Sequence, residues 1–274
     1  MTAALDSRAA ESLLAFWADA GVDALYGDAP FDRLAEGQLR LQAKARPAPP
    51  PTPIRPARPG APAAPDIGQA LDQARALAAG AETLEALAEA IAGFEGCPLR
   101  HQGARQSVFA RGNPQGPVLA IGEGPGAEED AQGQPFVGRA GKLLDRMFAA
   151  AGLTDRVFIT NTVFWRPPGN RAPTPAEQAV CAPFLERAIQ LVRPRLLLLI
   201  GGPSAKSMLN REEGILTLRG RWMEWKSSDG ALEIPAMPTL HPAFLLRQPA
   251  AKKKAWQDLL TFTERLDRQT RPDA

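Results

Sequence analysis

One stretch constrains the fold of this chain more than any other, the segment from Pro117 to Gly152. An apolar run of strand length (118–121) passes into a glycine-rich turn, an acidic cluster and then an amphipathic pattern of helix length. A strand, a shaped loop and a helix in this order form the unit from which open α/β sheets are built, and such sheets bind ligands beyond the carboxyl ends of their strands. The loop is therefore the first candidate for a functional site.

Strand and helix patterns alternate through the rest of the chain. Apolar runs of strand length occur at 118–121, 156–163, 195–201 and 234–240. Helical patterns occur at 138–151, 174–191 and 250–268, and the segment around Trp222 and Trp225 is typical of a hairpin. The alternation predicts a three-layer α/β/α domain whose central sheet holds about four mainly parallel strands.

A segment rich in proline and alanine at 44–66 divides the chain. It lacks any periodicity, which predicts an extended linker, either a stiff spacer or a docking segment for a partner. We expect a helical extension at 1–43, which could bind an unknown partner. The α/β domain would then span 67–274, beginning with two helices over 67–95 that are interrupted at Gly80.

Composition narrows the class of protein. The chain lacks an apolar run long enough to span a membrane and a basic, then apolar, leader, so we expect a cytoplasmic protein with no membrane partner. We also expect a monomer. Its only two cysteines, Cys97 and Cys181, are too few for a disulfide framework or a four-thiolate metal site. They are expected to be small buried thiols, with no metal bound.

The glycine-rich turn at 122–127 matches the dinucleotide-binding pattern G-x-G-x-x-G/A. Pro125 interrupts it, however, and three carboxylates (128–130) stand where a pyrophosphate would meet the helix, which disfavours a nucleotide cofactor. Gly122 and Gly124 instead predict close approach of the backbone to a flat ligand. Glu123 then faces the reacting centre, unless it is only a surface carboxylate.

Three further side chains are placed to join this site. Phe136, in a loop among glycines and proline, could stack on a ring or plug the core. Asn161, at the end of the second strand, could read a base edge through its amide or simply form a turn. His241 follows the last strand and could donate a hydrogen bond to a developing oxyanion, whereas His101 has no comparable context.

Charge and surface residues are compatible with a nucleic-acid partner. Residues 101–274 hold 23 Lys and Arg against 17 Asp and Glu, whereas residues 1–100 hold 9 against 13. Arginines can hold phosphates, and leucines at the same sheet edge can wedge a duplex, although each could equally be solvated surface. The predicted DNA contacts are Arg139, Arg166, Arg171, Leu245, Leu246 and Arg247.

Three motifs taken together, at 122–141, 161–175 and 241–247, resemble the uracil-DNA glycosylase superfamily, most closely its family-4 branch. The resemblance covers roughly Cys97 to Leu266. It implies the same α/β/α fold and an enzyme of DNA base excision repair that flips uracil out of DNA. Such an enzyme is a monofunctional hydrolase of the N-glycosidic bond and leaves an abasic site.

The resemblance also implies roles for the candidate residues. Phe136 would stack on uracil, and Asn161 would read its amide edge. Glu123 would orient water or stabilise the cationic sugar, and His241 would support negative charge on uracil O2. The alternative is a catalytically weak relative that serves as a DNA-binding or partner-binding module.

The chain departs from the family pattern at the cofactor. Family-4 enzymes are similar in carrying four cysteines for a [4Fe-4S] cluster, and here Cys97 and Cys181 match two of them while Phe94 and Trp165 occupy the other positions. We therefore expect no cluster and no other cofactor, with the two aromatic residues packing in its place. Gly124 also stands where the resemblance implies alanine, which predicts a roomier pocket.

Overall fold

A computed structural model describes residues 67–268, so the predicted extension (1–43) and linker (44–66) lie outside the described residues. The helices in the described part are α1 (Ile67–Gly80), α2 (Leu84–Gly93), α3 (Ala127–Gln132), α4 (Arg139–Ala150), α5 (Pro175–Val192), α6 (Gly202–Leu209), α7 (Ile215–Leu218), α8 (Pro242–Arg247) and α9 (Lys252–Arg268). Within this range no helix is both long enough and apolar enough to cross a membrane.

The strands of residues 67–268 form one mixed sheet in the order β1-β3-β2-β4-β6-β5. They are β1 (Ala110–Gly112), β2 (Val118–Gly122), β3 (Val157–Asn161), β4 (Leu196–Ile200), β5 (Met223–Lys226) and β6 (Glu233–Thr239). The pairs β3/β2, β2/β4 and β4/β6 are parallel, which confirms the predicted four-stranded parallel centre. An antiparallel strand covers each edge, β1 on β3 and β5 on β6.

Helices cover both faces of this sheet and make three layers. Successive residues of a strand point to opposite faces, so Leu119 and Ile121 of β2 join one core cluster, whereas Val118 and Ala120 join the other. The first cluster contains buried residues of α1, α2 and α5, and the second contains those of α4 and α9. The strands β2, β3 and β4 are buried at every position, as expected for parallel strands covered on both sides.

Local sequence signals set the helix ends near the sheet. The Thr174 side chain accepts a hydrogen bond from the Glu177 amide at 3.3 Å, and the Glu177 carboxylate accepts one from the Thr174 amide at 2.8 Å, so α5 begins as predicted. The acidic cluster that follows the glycine turn was expected to be loop. It forms the short helix α3 instead, with its carboxylates in the first turn, where negative charge is favourable.

Candidate active site

The predicted site residues converge on one cleft of about 550 Å³ at the carboxyl edge of the sheet. Glu123, Phe136, Asn161 and His241 all line it, although they come from different elements along the chain. The parallel register explains this, because Gly122 at the end of β2 pairs directly with Asn161 at the end of β3. Strand ends that lie side by side bring their following loops to one place.

Asn161 is the most unusual polar residue in the cleft. The side chain is only 1% exposed, yet neither its Oδ1 nor its Nδ2 has a hydrogen-bond partner within residues 67–268. A Cβ atom on Gly122 would overlap both this amide and the ring of Phe136, so only glycine fits between them. Because an unpaired buried amide is costly, its presence indicates a donor and an acceptor held ready for a ligand.

Phe136 places an aromatic ring opposite the histidine. Its ring centroid lies 5.6 Å from that of His241, with the planes inclined by 32°. Phe136 also belongs to the core cluster under α4 and is 6% exposed, so it is both a core residue and part of the cleft wall. The backbone has φ +55° there, a left-handed conformation that is uncommon for a bulky residue.

His241 is held as a neutral donor. The amide of Ala243 donates to Nδ1 at 3.1 Å, which leaves Nε2 to carry the proton of the neutral ring. Burial, reinforced by the positive charge of Arg247 and opposed by Glu129, lowers the pKa of His241 to about 4. The ring is therefore uncharged at neutral pH and can donate one hydrogen bond without carrying a formal charge.

Glu123 supplies a carboxyl group at the same edge. Burial raises the pKa of this half-buried side chain above its usual value. Its backbone carbonyl accepts hydrogen bonds from the Thr162 hydroxyl at 2.7 Å and from the Val163 amide at 3.3 Å, which fixes the loop to the end of β3. A fixed carboxyl group of raised pKa is typical of sites that move protons.

The comparison with known proteins agrees with this geometry. The family model described as the uracil DNA glycosylase superfamily matches residues 109–260, which include all four of these cleft residues. The type-4 uracil-DNA glycosylase of Thermotoga maritima is 36% identical over 168 residues, covering 61% of this chain and 84% of that protein. The proteins of the same description from Sulfurisphaera tokodaii (36% over 189 residues; 67% and 84%) and Archaeoglobus fulgidus (33% over 188; 67% and 93%) are also similar.

The chain belongs to the uracil-DNA glycosylase superfamily. The type-4 descriptions of these relatives place it in the family-4 branch of that superfamily, as the sequence motifs predicted.

Gly124 does not make the glycosylase cleft roomier. A Cβ atom at this position would lie 2.8 Å from Cγ2 of Val163 and 3.9 Å from the rings of Pro167 and Pro173. The hydrogen atom of glycine therefore faces a valine methyl group rather than open space. The expectation of a larger pocket was wrong because the neighbouring strand end fills the volume that glycine leaves.

The predicted DNA contacts are placed unequally. Arg139 is exposed at the first residue of α4, and Arg247 is exposed at the cleft rim. Arg166 donates from Nε to Oδ1 of Asn170 at 2.7 Å, which stiffens the turn in which both residues lie. The guanidinium of Arg171 lines the cleft, but it binds both carboxylate oxygens of Glu177 at 2.6 and 2.8 Å. Arg171 therefore stabilises the start of α5 through a guanidinium that is already paired.

Leu245 was wrongly predicted as an exposed wedge. It is 1% exposed and packs in a small core cluster with Leu143, Leu240 and Ala255. Its neighbour Leu246 is 36% exposed, because successive residues of the short helix α8 point in different directions. Of the two leucines, only Leu246 presents an apolar side chain that DNA can reach in this conformation.

The residues at the family-4 cluster position do not fit a [4Fe-4S] cluster. Cys97 and Cys181 are buried with their Sγ atoms 3.9 Å apart, and burial raises the pKa of the Cys181 thiol. Phe94 and Trp165 belong to the same core cluster as these thiols, with ring centroids 6.4 Å apart, and Phe94 also packs edge-on against Phe184 at 5.1 Å. Within residues 67–268, no group of three or more His, Cys, Asp or Glu side chains could hold a metal ion.

Two residues that shape the cleft wall were missed from the sequence, Arg111 and Glu129. Arg111 lies on β1, which is only three residues long and gives no periodic signal. Glu129 stands three residues after Gly126, the position of an acid in a capping box, and its carboxylate accepts a hydrogen bond from the Gly126 amide at 3.1 Å. The three-residue spacing could have been recognised in the sequence, but glycine has no side chain to act as a cap, so the capping box was missed.

Proposed function

We propose that this protein hydrolyses the N-glycosidic bond between uracil and deoxyribose in DNA, releasing uracil and leaving an abasic site. The observation that carries the proposal is the unpaired buried amide of Asn161. A carboxamide offers an acceptor beside a donor, which matches the N3–H and O4 of uracil. Cytosine would present an amino group where uracil presents O4, so the NH2 group of Asn161 would face another donor instead of an acceptor.

Access to this amide requires the base to leave the DNA stack. A flipped base entering the cleft would meet the ring of Phe136, which offers a stacking surface, before its polar edge reaches Asn161. Stacking on an aromatic side chain stabilises any base, so Phe136 would contribute affinity. The amide of Asn161 would distinguish uracil from the other bases. Phe136 lies in the loop before α4 and Asn161 ends β3, and Gly122 at the end of β2 allows their close approach.

The chemistry follows from where charge develops. As the bond between C1′ and N1 breaks, its electron pair goes to the base and the sugar becomes cationic. The Nε2–H of neutral His241 would donate to uracil O2 and stabilise the departing anion. Glu123 would stabilise the cationic sugar or orient the water that adds to C1′, and the proton lost by that water would balance the negative charge on uracil.

The lining of the cleft supports a monofunctional enzyme. Glycosylases that also cut the strand need an amine nucleophile to form a Schiff base with the sugar. Among the described residues, those that line the cleft include no lysine. We propose that the reaction stops at the abasic site. Monomeric state and cytoplasmic location stay predictions.

We also propose that the domain folds and works without an iron-sulfur cluster. The support is the aromatic packing of Phe94 and Trp165, which are fully buried in the same core cluster as the two remaining thiols. Protein purified without added iron should be colourless and should contain far less than one equivalent of iron. Stoichiometric iron with absorbance in the visible range would contradict this proposal without affecting that of uracil excision.

A labelled oligonucleotide with one uracil tests the activity directly. Incubation with the protein followed by alkali should cut the strand at the uracil, and not at cytosine or thymine in the same position. Asn161→Ala and His241→Ala should abolish cleavage. Arg156→Gln, which changes a surface ion pair with Asp267 at the opposite edge of the sheet, should leave it unchanged. Failure of the unaltered protein to cleave would leave only a DNA-binding or partner-binding role.

A further inference from the structure

The backbone around Phe136 is held from two sides by charged side chains. On one side, Arg111 donates from Nε to the carbonyl of Pro135 at 2.7 Å and from a terminal nitrogen to the carbonyl of Phe136 at 3.0 Å. On the other side, one carboxylate oxygen of Glu129 accepts from the amides of Val137 at 3.0 Å and Gly138 at 2.8 Å. The peptide group that follows Phe136 is thus bound at both its oxygen and its N–H.

These contacts hold Phe136 in a backbone conformation that is unfavourable for it. Phe136 has φ +55°, and the left-handed region is unfavourable for a residue with a large side chain. Such a conformation persists only where surrounding contacts determine it. The adjoining helix α4 also approaches this carbonyl so closely that any side chain on Gly141 would collide with it.

Arg111 connects the loop that contains Phe136 to the strand that carries Asn161. In the antiparallel pair of β1 and β3, Arg111 lies opposite Ile159, two residues before Asn161. The hydroxyl of Thr160 further ties β3 to the carbonyl of Phe109 at 2.7 Å. The guanidinium on β1 thereby fixes the backbone that carries the Phe136 ring with respect to the amide of Asn161 on the paired strand β3.

We infer that Arg111 and Glu129 are positioning residues for base recognition, which clamp the peptide after Phe136 so that its ring meets a flipped uracil read by Asn161. This inference rests on the proposed function, because it assigns Phe136 to the base. Arg111 has a second partner, Asp145 on α4 at 2.6 Å, and that ion pair offers the control. If the guanidinium served only the ion pair, loss of either partner would have the same effect.

A double-mutant cycle tests the inference through kcat/KM on the uracil oligonucleotide. Arg111→Met should lower kcat/KM by roughly tenfold to a hundredfold, the scale of loss that follows small misplacement of a positioning group. In a Phe136→Ala background the same change should have almost no further effect, because the clamp then holds no ring. Arg111→Lys should recover part of the loss, and Asp145→Asn should cost much less than Arg111→Met.

Two results would overturn the inference while uracil excision stands. One is an equal loss from Arg111→Met with and without the Phe136 side chain, and the other is equal losses from Arg111→Met and Asp145→Asn. A crystal structure of Arg111→Met gives a readout independent of activity, with Phe136 expected to leave the left-handed region. An unchanged φ at Phe136 would refute the clamp even if the unaltered protein had no activity on uracil.

Discussion

Replacing Asn161 by leucine should make the protein more stable and inactive at once. Both polar atoms of the Asn161 amide are buried and unpaired within residues 67–268, and a buried polar group left in this way costs about 1–3 kcal/mol. Leucine has a similar shape and no polar atoms, so it removes this cost. We expect Asn161→Leu to raise the free energy of unfolding by about 1–3 kcal/mol, or about 2–4 °C in Tm for each kcal/mol.

The assay pairs thermal or denaturant unfolding with the oligonucleotide assay, and Thr160→Val is the matched control. Thr160 is equally buried on the same strand, but its hydroxyl is paired with the carbonyl of Phe109 at 2.7 Å. Removing that hydroxyl breaks this hydrogen bond and should destabilise the fold by about 0.5–1.5 kcal/mol. The same kind of substitution, polar to apolar at a buried position, should therefore shift stability in opposite directions at adjacent positions.

Free uracil adds a third measurement. A ligand that binds only the folded state raises Tm, and the unaltered protein should respond in this way, whereas Asn161→Leu should not. If Asn161→Leu were destabilised as much as Thr160→Val and kept its activity, the amide would be a structural residue. The assignment of base reading to Asn161 would then be wrong.

The remaining predictions concern the histidine, the aromatic packing and the stacking ring. The pKa of His241 is lowered from 6.5 to about 4, so its contribution to stability is fully present above pH 6.5 and is lost as the pH falls toward 4. In His241→Asn, the free energy of unfolding should therefore depend less on pH within this window. The excision rate should likewise show no histidine titration between pH 5 and 8 and should fall near pH 4. Trp165→Ala should cost about 3–5 kcal/mol in denaturant unfolding, because it leaves a large cavity, whereas a metal chelator should leave Tm unchanged. Phe136→Ala should weaken uracil excision by about 1–3 kcal/mol in kcat/KM, and unchanged kinetics would assign that ring to the core alone.

Periodicity and end signals were sufficient to predict the central architecture. The four parallel strands, the helix capped by Thr174 and the hairpin containing Trp225 were all readable, because each depends on residues close together in the sequence. The strand β1 was not readable, since three residues cannot show an alternation and its pairing partner β3 lies more than forty residues away. The acidic cluster was assigned to a loop because its helix, α3, is only six residues long.

The site shows the same division between local and distant information. The sequence by itself determined which residues end the strands, and hence that Glu123, Asn161 and His241 would meet, because the carboxyl ends of parallel strands share one edge. Only the tertiary structure decided which surfaces remain free. Leu245 became core, Arg171 took Glu177 as a partner, Val163 filled the space beside Gly124, and Arg111 was brought to the backbone of Phe136. Burial and pairing depend on contacts between segments far apart in the chain, and no local pattern encodes them.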